Sequence, residues 1–330
     1  MTSSEPGIET RVDPETGDWR LIAPRRGARP DDSQPVGAPV CPFCPGNEHL
    51  TPPERQRHPA GAPEWQVRVV PNKYAIVSAD PAAPTSDGAF PATGDHEVVI
   101  ESPEHDWDLR RADPDTARVI LGVVRDRCRA MTAGRQPQAI IPFRNYGTAA
   151  GASLHHPHSQ IVALDHAPPG QSGRWARSRD HFMNAGRRLA DDLVAAERNA
   201  KVRLITDADG LCVFQPYAAA VPHHTLLVPD DGRGGLADAA DEALDALARI
   251  LPPTLAALAA VRDDPPYNLV VHGGPADDRF AGRWYQWYVS IQPRVTMLGG
   301  LELATGLTVD PTSPEQTAPV MREAYESARG

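Results

Sequence analysis

Hydrophobic positions along the chain follow two patterns, one typical of buried strands and one typical of amphipathic helices. The β-branched run at 96–101 (HEVVIE) predicts a buried strand. Asp113-Pro114 predicts a helix start, with Asp113 as N-cap and Pro114 in the first turn, because an apolar stripe follows at helical spacing. On the same grounds, further strands are predicted at 66–70, 75–78, 138–144, 158–164, 202–206, 212–215, 225–228, 267–271 and 285–292.

Three more helices are predicted in the second half of the chain. A polar helix covers about 173–200, and an Ala/Leu-rich helix covers about 236–261, kinked or split at Pro252-Pro253. A short helix begins near Ser313-Pro314. Residues 1–65 are rich in Pro, Gly and charge, which predicts an extended, turn-rich segment that packs on the rest of the chain.

The two halves of the chain share one order of predicted elements: strand, helix, strand, small-residue turn, strand. His96 and His156 are 60 positions apart, and His224 and Gln286 are 62 positions apart. This spacing indicates a duplicated α+β unit. We therefore predict two halves, 1–170 and 171–330.

Composition places the chain among globular proteins. Of 330 residues, 41% are hydrophobic, 35 are Pro and 26 are Gly, which excludes a disordered chain, a collagen and a coiled coil. The length suits about two domain-sized units. No apolar run approaches the roughly 18 residues of a membrane helix, and the N-terminus has no charged-then-apolar signal, so a cytoplasmic location is expected.

The charge of the chain excludes partners that need a basic face. The formal net charge is −10, from 33 basic and 43 acidic residues, which argues against nucleic-acid polymers and membrane surfaces. Lys73 and Lys201 are the only lysines, so all the other basic residues are arginines. Such an excess of Arg over Lys is typical of a coding bias, which explains most of the arginines. A single Arg is therefore weak evidence for a phosphate site, although a local basic pocket stays compatible with the charge.

Cysteine usage points to a metal or redox site. Cys41-Pro-Phe-Cys44 is a CxxC pair, whereas Cys128 and Cys212 stand alone in apolar surroundings and are expected to be inert core residues. Tetrahedral Zn²⁺ needs four N or S ligands, of which CxxC supplies two. A redox pair is the alternative, but no thioredoxin-like sequence surrounds it.

Histidines could complete such a zinc site. His105 and one histidine of the 155–158 stretch (HHPH) are the preferred candidates, but His49, His58 and His96 compete, and spacing leaves the choice open.

The densest cluster of chemically active residues is 153–160 (SLHHPHSQ), which precedes a predicted strand. Because alternate side chains of a strand share a face, His156, His158 and Gln160 point the same way. A neutral imidazole can attack an electrophile while a nearby amide holds a charged oxygen. Attack on phosphorus gives a phosphoramidate, which suits two-step group transfer. A His-rich loop without chemistry and a plain metal site are the alternatives.

Smaller features indicate anion binding. The stretch 24–30 (PRRGARP) concentrates three arginines, and Asn72 and Asn145 lie at predicted turns. The chain has neither the phosphate-binding GxxxxGK[ST] loop nor the dinucleotide-binding glycine fingerprint. An ATP-dependent kinase and a dehydrogenase therefore lose support.

Nine short motifs in sequence order carry a family resemblance. The chain resembles galactose-1-phosphate uridylyltransferases, of the histidine-triad superfamily. The matching stretches are 13–19 (DPETGDW), 23–30 (APRRGARP), 41–47 (CPFCPGN), 51–54 (TPPE), 67–74 (VRVVPNKY), 96–105 (HEVVIESPEH), 143–147 (FRNYG), 151–160 (GASLHHPHSQ) and 265–268 (PPYN). The resemblance implies duplicated histidine-triad-like units, with a mainly antiparallel sheet and flanking helices.

The resemblance also implies roles for the matching residues. His158 would be the nucleophile that carries the nucleotide, and Gln160 would hold the phosphoryl oxygens. Phosphate contacts would come from Arg26, Arg29, Asn145 and Ser153, with Asn72 beside the nucleotide. Zinc would be bound by Cys41, Cys44, His105 and His156. Four protein ligands leave no open position, so the zinc would be structural.

The implied activity is ping-pong transfer of UMP between a UDP-sugar and a sugar 1-phosphate by a homodimer. A nucleoside-diphosphate-sugar phosphorylase or an adenylyltransferase, for example on ADP-glucose, is the alternative. A zinc-stabilised nucleotide-binding protein without catalysis is a third hypothesis. The complete His-Pro-His-x-Gln motif at 156–160 argues against it.

Departures from the family pattern concern the acceptor. His155 stands where relatives carry Pro or Glu, and Gln286-Trp287-Tyr288 replaces a His-Trp-His strand, so no second metal is expected. Leu301 replaces the aromatic residue before Glu302, which is expected to contact sugar hydroxyls across a dimer interface. The chemistry of the first half stays intact, and the identity of the acceptor is open.

Overall fold

The computed structural model describes residues 8–14, 16–24, 40–81, 84 and 88–329. Its centre is a ten-stranded sheet in which every pair of neighbouring strands runs antiparallel. Helices flank this sheet, so the predicted α+β class is confirmed. The strands of the large sheet are β3 (Gln56–His58), β4 (Val67–Pro71), β6 (Gly94–Ile100), β7 (Ala139–Tyr146), β8 (His158–Leu164), β9 (Leu204–Ala208), β10 (Leu211–Phe214), β11 (Thr225–Pro229), β12 (Tyr267–His272) and β13 (Tyr288–Pro293).

A small sheet of three strands lies beside the large one. Its members are β1 (Glu9–Val12), β2 (Trp19–Ile22) and β5 (Phe90–Pro91), with β1 in the middle. The predicted strand at 75–78 does not form, apart from a single bridge between Ser78 and Thr93. The run is short and meets no partner strand along its length, which leaves it without a hydrogen-bonded ladder.

Six α-helices are described. They are α1 (Pro114–Arg135), α2 (Pro169–Ala185), α3 (Leu189–Ala200), α4 (Asp241–Arg262), α5 (Gly300–Thr305) and α6 (Pro314–Arg329). Asp113 caps α1 through the N–H of Thr116, as predicted. The predicted helix over 173–200 is two helices, because Gly186 ends α2 at a positive φ of 69°. Pro252 and Pro253 lie inside α4 and do not split it.

The large sheet has an internal repeat. Its first five strands follow the order β3-β4-β6-β8-β7, and its last five, counted from the far edge, follow β9-β10-β11-β13-β12. Helix α1 follows β6, and α4 follows β11, at equivalent places. The registers match as well, since Val98 pairs with Gln160 in one half and Leu226 pairs with Ser290 in the other. Tyr288 therefore occupies the position equivalent to His158. The boundary at 170/171 stays a prediction.

One face of the sheet packs on helices and builds a single core shared by both halves. Val69, Val99 and Ile161 point to α1 on this face, and Leu227 and Ile291 belong to the same cluster. Helix α4 has the length and apolar composition of a membrane-crossing helix, but 61% of that apolar stretch is buried inside the fold. The opposite face carries Val98 and Gln160, and it is the face on which the candidate site lies.

Candidate functional site

The candidate site is a pocket over the start of β8. It has a volume of about 260 Å³, and His158 and Gln160 form part of its floor. Both side chains are buried, at 9% and 5% exposure, so a reacting group here would be shielded from water. Apolar walls come from Val40, Pro42, Phe43, Leu50, Pro52, Val70, Val98 and Leu154, and further polar lining comes from Thr51, Asn72, Lys73, Tyr74 and Ser153.

The His158 ring has a defined tautomer. Its Nδ1 lies 2.8 Å from the backbone oxygen of His156. A carbonyl oxygen can only accept a hydrogen bond, so Nδ1 carries the proton and Nε2 keeps its lone pair. Phe43 contacts the ring edge-on, with ring centroids 5.4 Å apart, and restricts its rotation. The ring therefore presents an unprotonated nitrogen in a fixed orientation.

The Gln160 amide is oriented by two donors. Its Oε1 lies 3.0 Å from Nε2 of His96 and accepts from Nδ2 of Asn72 at 3.3 Å. The N–H of Ile76 donates to Nδ1 of His96 at 3.3 Å, which places the His96 proton on Nε2, facing Gln160. With Oε1 held in this way, the amide N–H groups of Gln160 are available as donors to a group in the pocket.

Four side chains beside the pocket form a cluster suited to a metal. The ligand atoms of Cys41, Cys44, His105 and His156 all lie within 4.8 Å of one another. Sγ of Cys44 lies 3.4 Å from Nδ1 of His105 and 3.6 Å from Nδ1 of His156, and Sγ of Cys41 lies 3.7 Å from the latter. A tetrahedral zinc site requires S···N separations of about 3.5 Å, given the usual bond lengths. The donor set therefore fits zinc in both chemistry and spacing.

The cluster is connected to the start of β8 through His156. Its Nε2 donates to the backbone oxygen of Ser102 at 2.8 Å, which directs the Nδ1 lone pair toward the cysteines. Burial lowers the pKa of His156 to about 4, so the ring is neutral, the form that ligates a metal. Burial also raises the pKa of Cys41 to about 11, so without a metal its thiol is protonated. His156 lies two residues before His158, so a rigid cluster fixes the position of His158.

A buried ion pair supports β8 from the helix side. Nε of Arg144 lies 3.0 Å from Glu101 Oε2, and the two side chains are only 4% and 1% exposed. The Ser159 hydroxyl donates to the other oxygen of Glu101, and Nη1 of Arg144 donates to the Tyr267 hydroxyl at 2.7 Å. This network therefore links Ser159, which lies between His158 and Gln160 on β8, to Tyr267 in the second half of the chain.

The structure brings some of the other predicted residues to the pocket and not others. Asn72 and Ser153 line it. Asn145 lies on β7, where its Oδ1 accepts from Asn268 at 2.8 Å, and it is not a lining residue. Glu302 lies on α5, outside the lining, and accepts from the N–H of Gly299 at 3.0 Å. The predicted phosphate contacts Arg26 and Arg29 lie outside the described residues.

The sequence did not predict the roles that two site residues have in the structure. His96 competes there as a zinc ligand but instead orients Gln160. Asn268, from the PPYN motif, donates to Asn145 and to the backbone oxygen of Ala150, and so holds the turn that leads into 153–160. The sequence signal for both residues was their position in motifs that match the family, 96–105 for His96 and 265–268 for Asn268. His155, the family departure, is exposed, with its Nε2 3.4 Å from Asp106.

The chain is similar to known proteins in both sequence and fold. A family model described as galactose-1-phosphate uridyl transferase, N-terminal domain, matches residues 5–168. An ADP-glucose phosphorylase of Arabidopsis thaliana is 32% identical over 96% of this chain and 92% of its own length. A solved Arabidopsis thaliana ADP-glucose phosphorylase with bound ADP-glucose has a TM-score of 0.78 at 32% identity, over 96% of this chain and 99% of that one. A solved uridylyltransferase has a TM-score of 0.83 at 31% identity, over 98% of this chain and 100% of that one.

Proposed function

The chain belongs to the galactose-1-phosphate uridylyltransferase family, and from this premise we propose that it moves a nucleoside monophosphate through His158. The donor is a nucleoside diphosphate sugar, and the acceptor is a second phosphate-bearing molecule. The observation that carries the proposal is the buried His158 ring, whose Nδ1 is held by the His156 carbonyl and whose Nε2 keeps its lone pair.

The first step is attack of His158 Nε2 on the α-phosphorus of the donor. The N–P bond forms as the bond from phosphorus to the bridging oxygen breaks, and sugar 1-phosphate leaves with the electron pair. The ring becomes positively charged, and the carbonyl oxygen of His156 stabilises that charge through Nδ1–H. In the second step an acceptor phosphate oxygen attacks phosphorus, the N–P bond breaks, and the ring returns to its starting state.

Gln160 stabilises the charge that develops on phosphorus. Its Oε1 is occupied by His96 and Asn72, so its amide hydrogens are directed to the phosphoryl oxygens. Donors fixed before the reaction need no reorganisation, and a single such donor contributes about 10²–10³ in rate. Ser153 lies on the same pocket wall and is assigned to phosphate contact. Arg26 and Arg29 are assigned to phosphate contact from sequence, together with Asn145.

Zinc is the metal proposed for the cysteine-histidine cluster. Cys41, Cys44, His105 and His156 would hold it, and the fit of their spacing to tetrahedral coordination supports this assignment. When bound, zinc supplies rigidity and no reactive position, because all four sites are taken by protein. The cluster then orients the chain leading into His158.

The donor and acceptor have two candidate identities. Uridylyl transfer from a UDP-sugar to a sugar 1-phosphate is supported by the solved uridylyltransferase at 31% identity and a TM-score of 0.83. Phosphorolysis of ADP-glucose is supported by the Arabidopsis ADP-glucose phosphorylase, at 32% identity over 96% of this chain. Both use the same first step, and they differ in the base and in the acceptor, sugar phosphate or inorganic phosphate.

The test is a donor and acceptor screen read by intact mass. Protein is incubated with UDP-glucose or ADP-glucose, and the adduct mass identifies the nucleotide carried. His158→Gly is expected to abolish the adduct, whereas His155→Gly, an exposed neighbouring histidine, is the matched control and keeps it. Galactose 1-phosphate or inorganic phosphate is then added to discharge the adduct. Absence of an adduct with every nucleoside diphosphate sugar, or its retention in His158→Gly, contradicts the proposal.

A homodimer is the proposed assembly. Residues 297–309, which we call the exposed arm, carry large apolar side chains that face solvent in the monomer, a pattern typical of interaction sites. They are Met297, Leu298, Leu301, Leu303, Leu307 and Val309. Leu303→Asp is expected to give a monomer by light scattering, whereas Val320→Asp, an exposed site on α6, leaves the dimer. A monomeric wild-type protein would contradict the assignment. The cytoplasmic location stays a prediction.

A further inference from the structure

A cavity in the second half lies at the place equivalent to the nucleotide pocket of the first half. We propose that this second-half cavity is a separate binding site for a small phosphate-bearing anion. It lies between β10, β11 and β13 on one side and α2 and α3 on the other. Its lining includes Arg174, Arg177, Phe214, Leu226 and Tyr288.

The internal repeat of the sheet determines where this cavity lies. In the first half, Val70 pairs with Val98, and both line the pocket above Gln160. In the second half, Phe214 pairs with Leu226, and both line the second-half cavity. The two cavities therefore occupy the same strand positions on the same face of the sheet. They differ in what covers them, since helices α2 and α3 cover the second.

Charge distinguishes this cavity from an ordinary apolar cleft. Arg174 and Arg177 line it, and no carboxylate does. Neither guanidinium forms an ion pair within the part of the chain that the structure describes. For the half-buried Arg174 this is unusual, because most buried or half-buried arginines of this protein form one, whereas Arg177 is exposed. In a chain of net charge −10, two uncompensated guanidiniums at one cavity form a local positive site.

Arg174 is incompletely satisfied. Its Nη1 donates to the Tyr288 hydroxyl at 2.7 Å, but its Nε is buried and has no hydrogen-bond partner among the described residues. A buried donor without a partner is costly, and an anion removes that cost. Guanidinium groups bind phosphate oxygens through two parallel hydrogen bonds, so a phosphate group matches this donor.

The groups behind Arg174 are neutral and cannot act as its counter-ion. Nε2 of His224 lies 2.9 Å from the Ser290 hydroxyl, and the His272 ring stacks on Tyr288 with centroids 4.8 Å apart. Burial, and after it the charge of Arg174, lowers the pKa of His224 to about 4 and that of His272 to about 3. The acidic group that acts on His224 is Asp310, and it does not line the cavity. The groups packed behind Arg174 therefore do not neutralise its positive charge.

The cavity volume limits the ligand. It is about 140 Å³, against about 260 Å³ for the catalytic pocket. That space holds about five water molecules, enough for a phosphate group with a small substituent and too small for a nucleotide sugar. The apolar side of the cavity, which includes Phe214, Leu226 and Trp284, suits a small carbon skeleton attached to the phosphate.

The experiment is equilibrium dialysis of the full chain with radiolabelled inorganic phosphate. Arg174→Gln/Arg177→Gln removes both guanidiniums from the cavity. The matched control is Arg179→Gln/Arg187→Gln, which removes two exposed arginines from the same region and changes the net charge equally. The catalytic pocket is unchanged in all three proteins, so a difference in stoichiometry reports the second-half cavity.

Wild type and control are expected to bind one phosphate per chain more than the double variant. Equal binding by all three proteins, or equal loss in the control, overturns the proposal. If the double variant does not fold, Arg177→Gln decides, since this residue is exposed. It is expected to weaken phosphate binding about tenfold, the size of one charge-assisted hydrogen bond, and an unchanged affinity refutes the site. Competition by glycerol 3-phosphate then separates a phosphomonoester ligand from free phosphate.

Discussion

Replacing Glu101 with Gln tests whether the ion pair behind β8 is structural. The variant keeps the shape of the side chain and an oxygen for the Ser159 hydroxyl, but it removes the negative charge that faces Arg144. Arg144 then remains charged, because its pKa lies far above neutral pH. Its remaining side-chain partner is the Tyr267 hydroxyl, 2.7 Å from Nη1.

The expected loss follows from burial. Glu101 and Arg144 are 1% and 4% exposed, so no solvent is available to replace the lost partner. Removing one member of a buried ion pair lowers the free energy of unfolding by about 3–5 kcal/mol. Because hydrogen bonds are retained in Glu101→Gln, we expect a loss of about 3 kcal/mol. Asp165→Asn is the matched control, because its ion pair with Arg135 is partly exposed. That control is expected to cost less than about 1 kcal/mol.

Urea unfolding at pH 7, followed by circular dichroism, measures both variants. A third protein, Glu101→Gln/Arg144→Met, removes both charges and is expected to recover much of the loss, since no buried charge then lacks a partner. The reasoning is refuted if Glu101→Gln costs no more than Asp165→Asn. It is also refuted if the double variant is less stable than Glu101→Gln by the full cost of a second independent loss.

Three further predictions concern the metal, pH and catalysis. Cys44→Ser is expected to lose one zinc per chain by elemental analysis and to lower the melting temperature, whereas Cys128→Ser keeps its zinc. Burial depresses the pKa of His272 to about 3, so its contribution to stability is complete above the unfolded pKa of about 6.5 and is lost as pH falls toward 3. Urea unfolding at several pH values gives the free energy of unfolding as a function of pH. Between pH 6 and 4 its slope should be shallower in His272→Phe than in wild type by about 1.4 kcal/mol per pH unit. Equal slopes in the two proteins contradict this. Gln160→Ala is expected to lower kcat by about 10²–10³ with little change in KM, and His96→Phe by a smaller factor; an unchanged kcat in both excludes the proposed role.

Sequence patterns predicted the regular elements well where local signals and the final packing agree. Strand β8 forms over His158–Leu164, as its apolar run predicts, and α1 begins at the Asp113 cap. The break at Gly186 was missed because a glycine inside a polar stretch is compatible with helix until its φ is known. Pro252 and Pro253 predicted a kink or a split, and the split does not occur, because α4 packs along α1 and α6 over its length.

The candidate site was predictable only where its residues are close in sequence. His158 and Gln160 lie on β8, so alternation alone predicts their common face, whereas His156 precedes the strand and its Nδ1 faces the cysteines. His105 lies 61 residues from Cys44, and spacing could not select it among competing histidines. The role of His96 depends on the pairing of β6 with β8, which brings its ring to Gln160. Pairing across distant strands is a tertiary property, and no local pattern reports it.

The seam between β7 and β12 also determines how the chain could be divided. There, Phe143–Tyr146 pairs with Tyr267–Val270, and the Arg144–Tyr267 hydrogen bond crosses the junction. A fragment ending near residue 168 would present β7 as an unpaired edge, and the remaining fragment would present β12 in the same way. Such edges invite aggregation when they stand alone. Each fragment is nevertheless the complementary template for the other, so co-production of the two pieces would be a route to a split, reassembling enzyme.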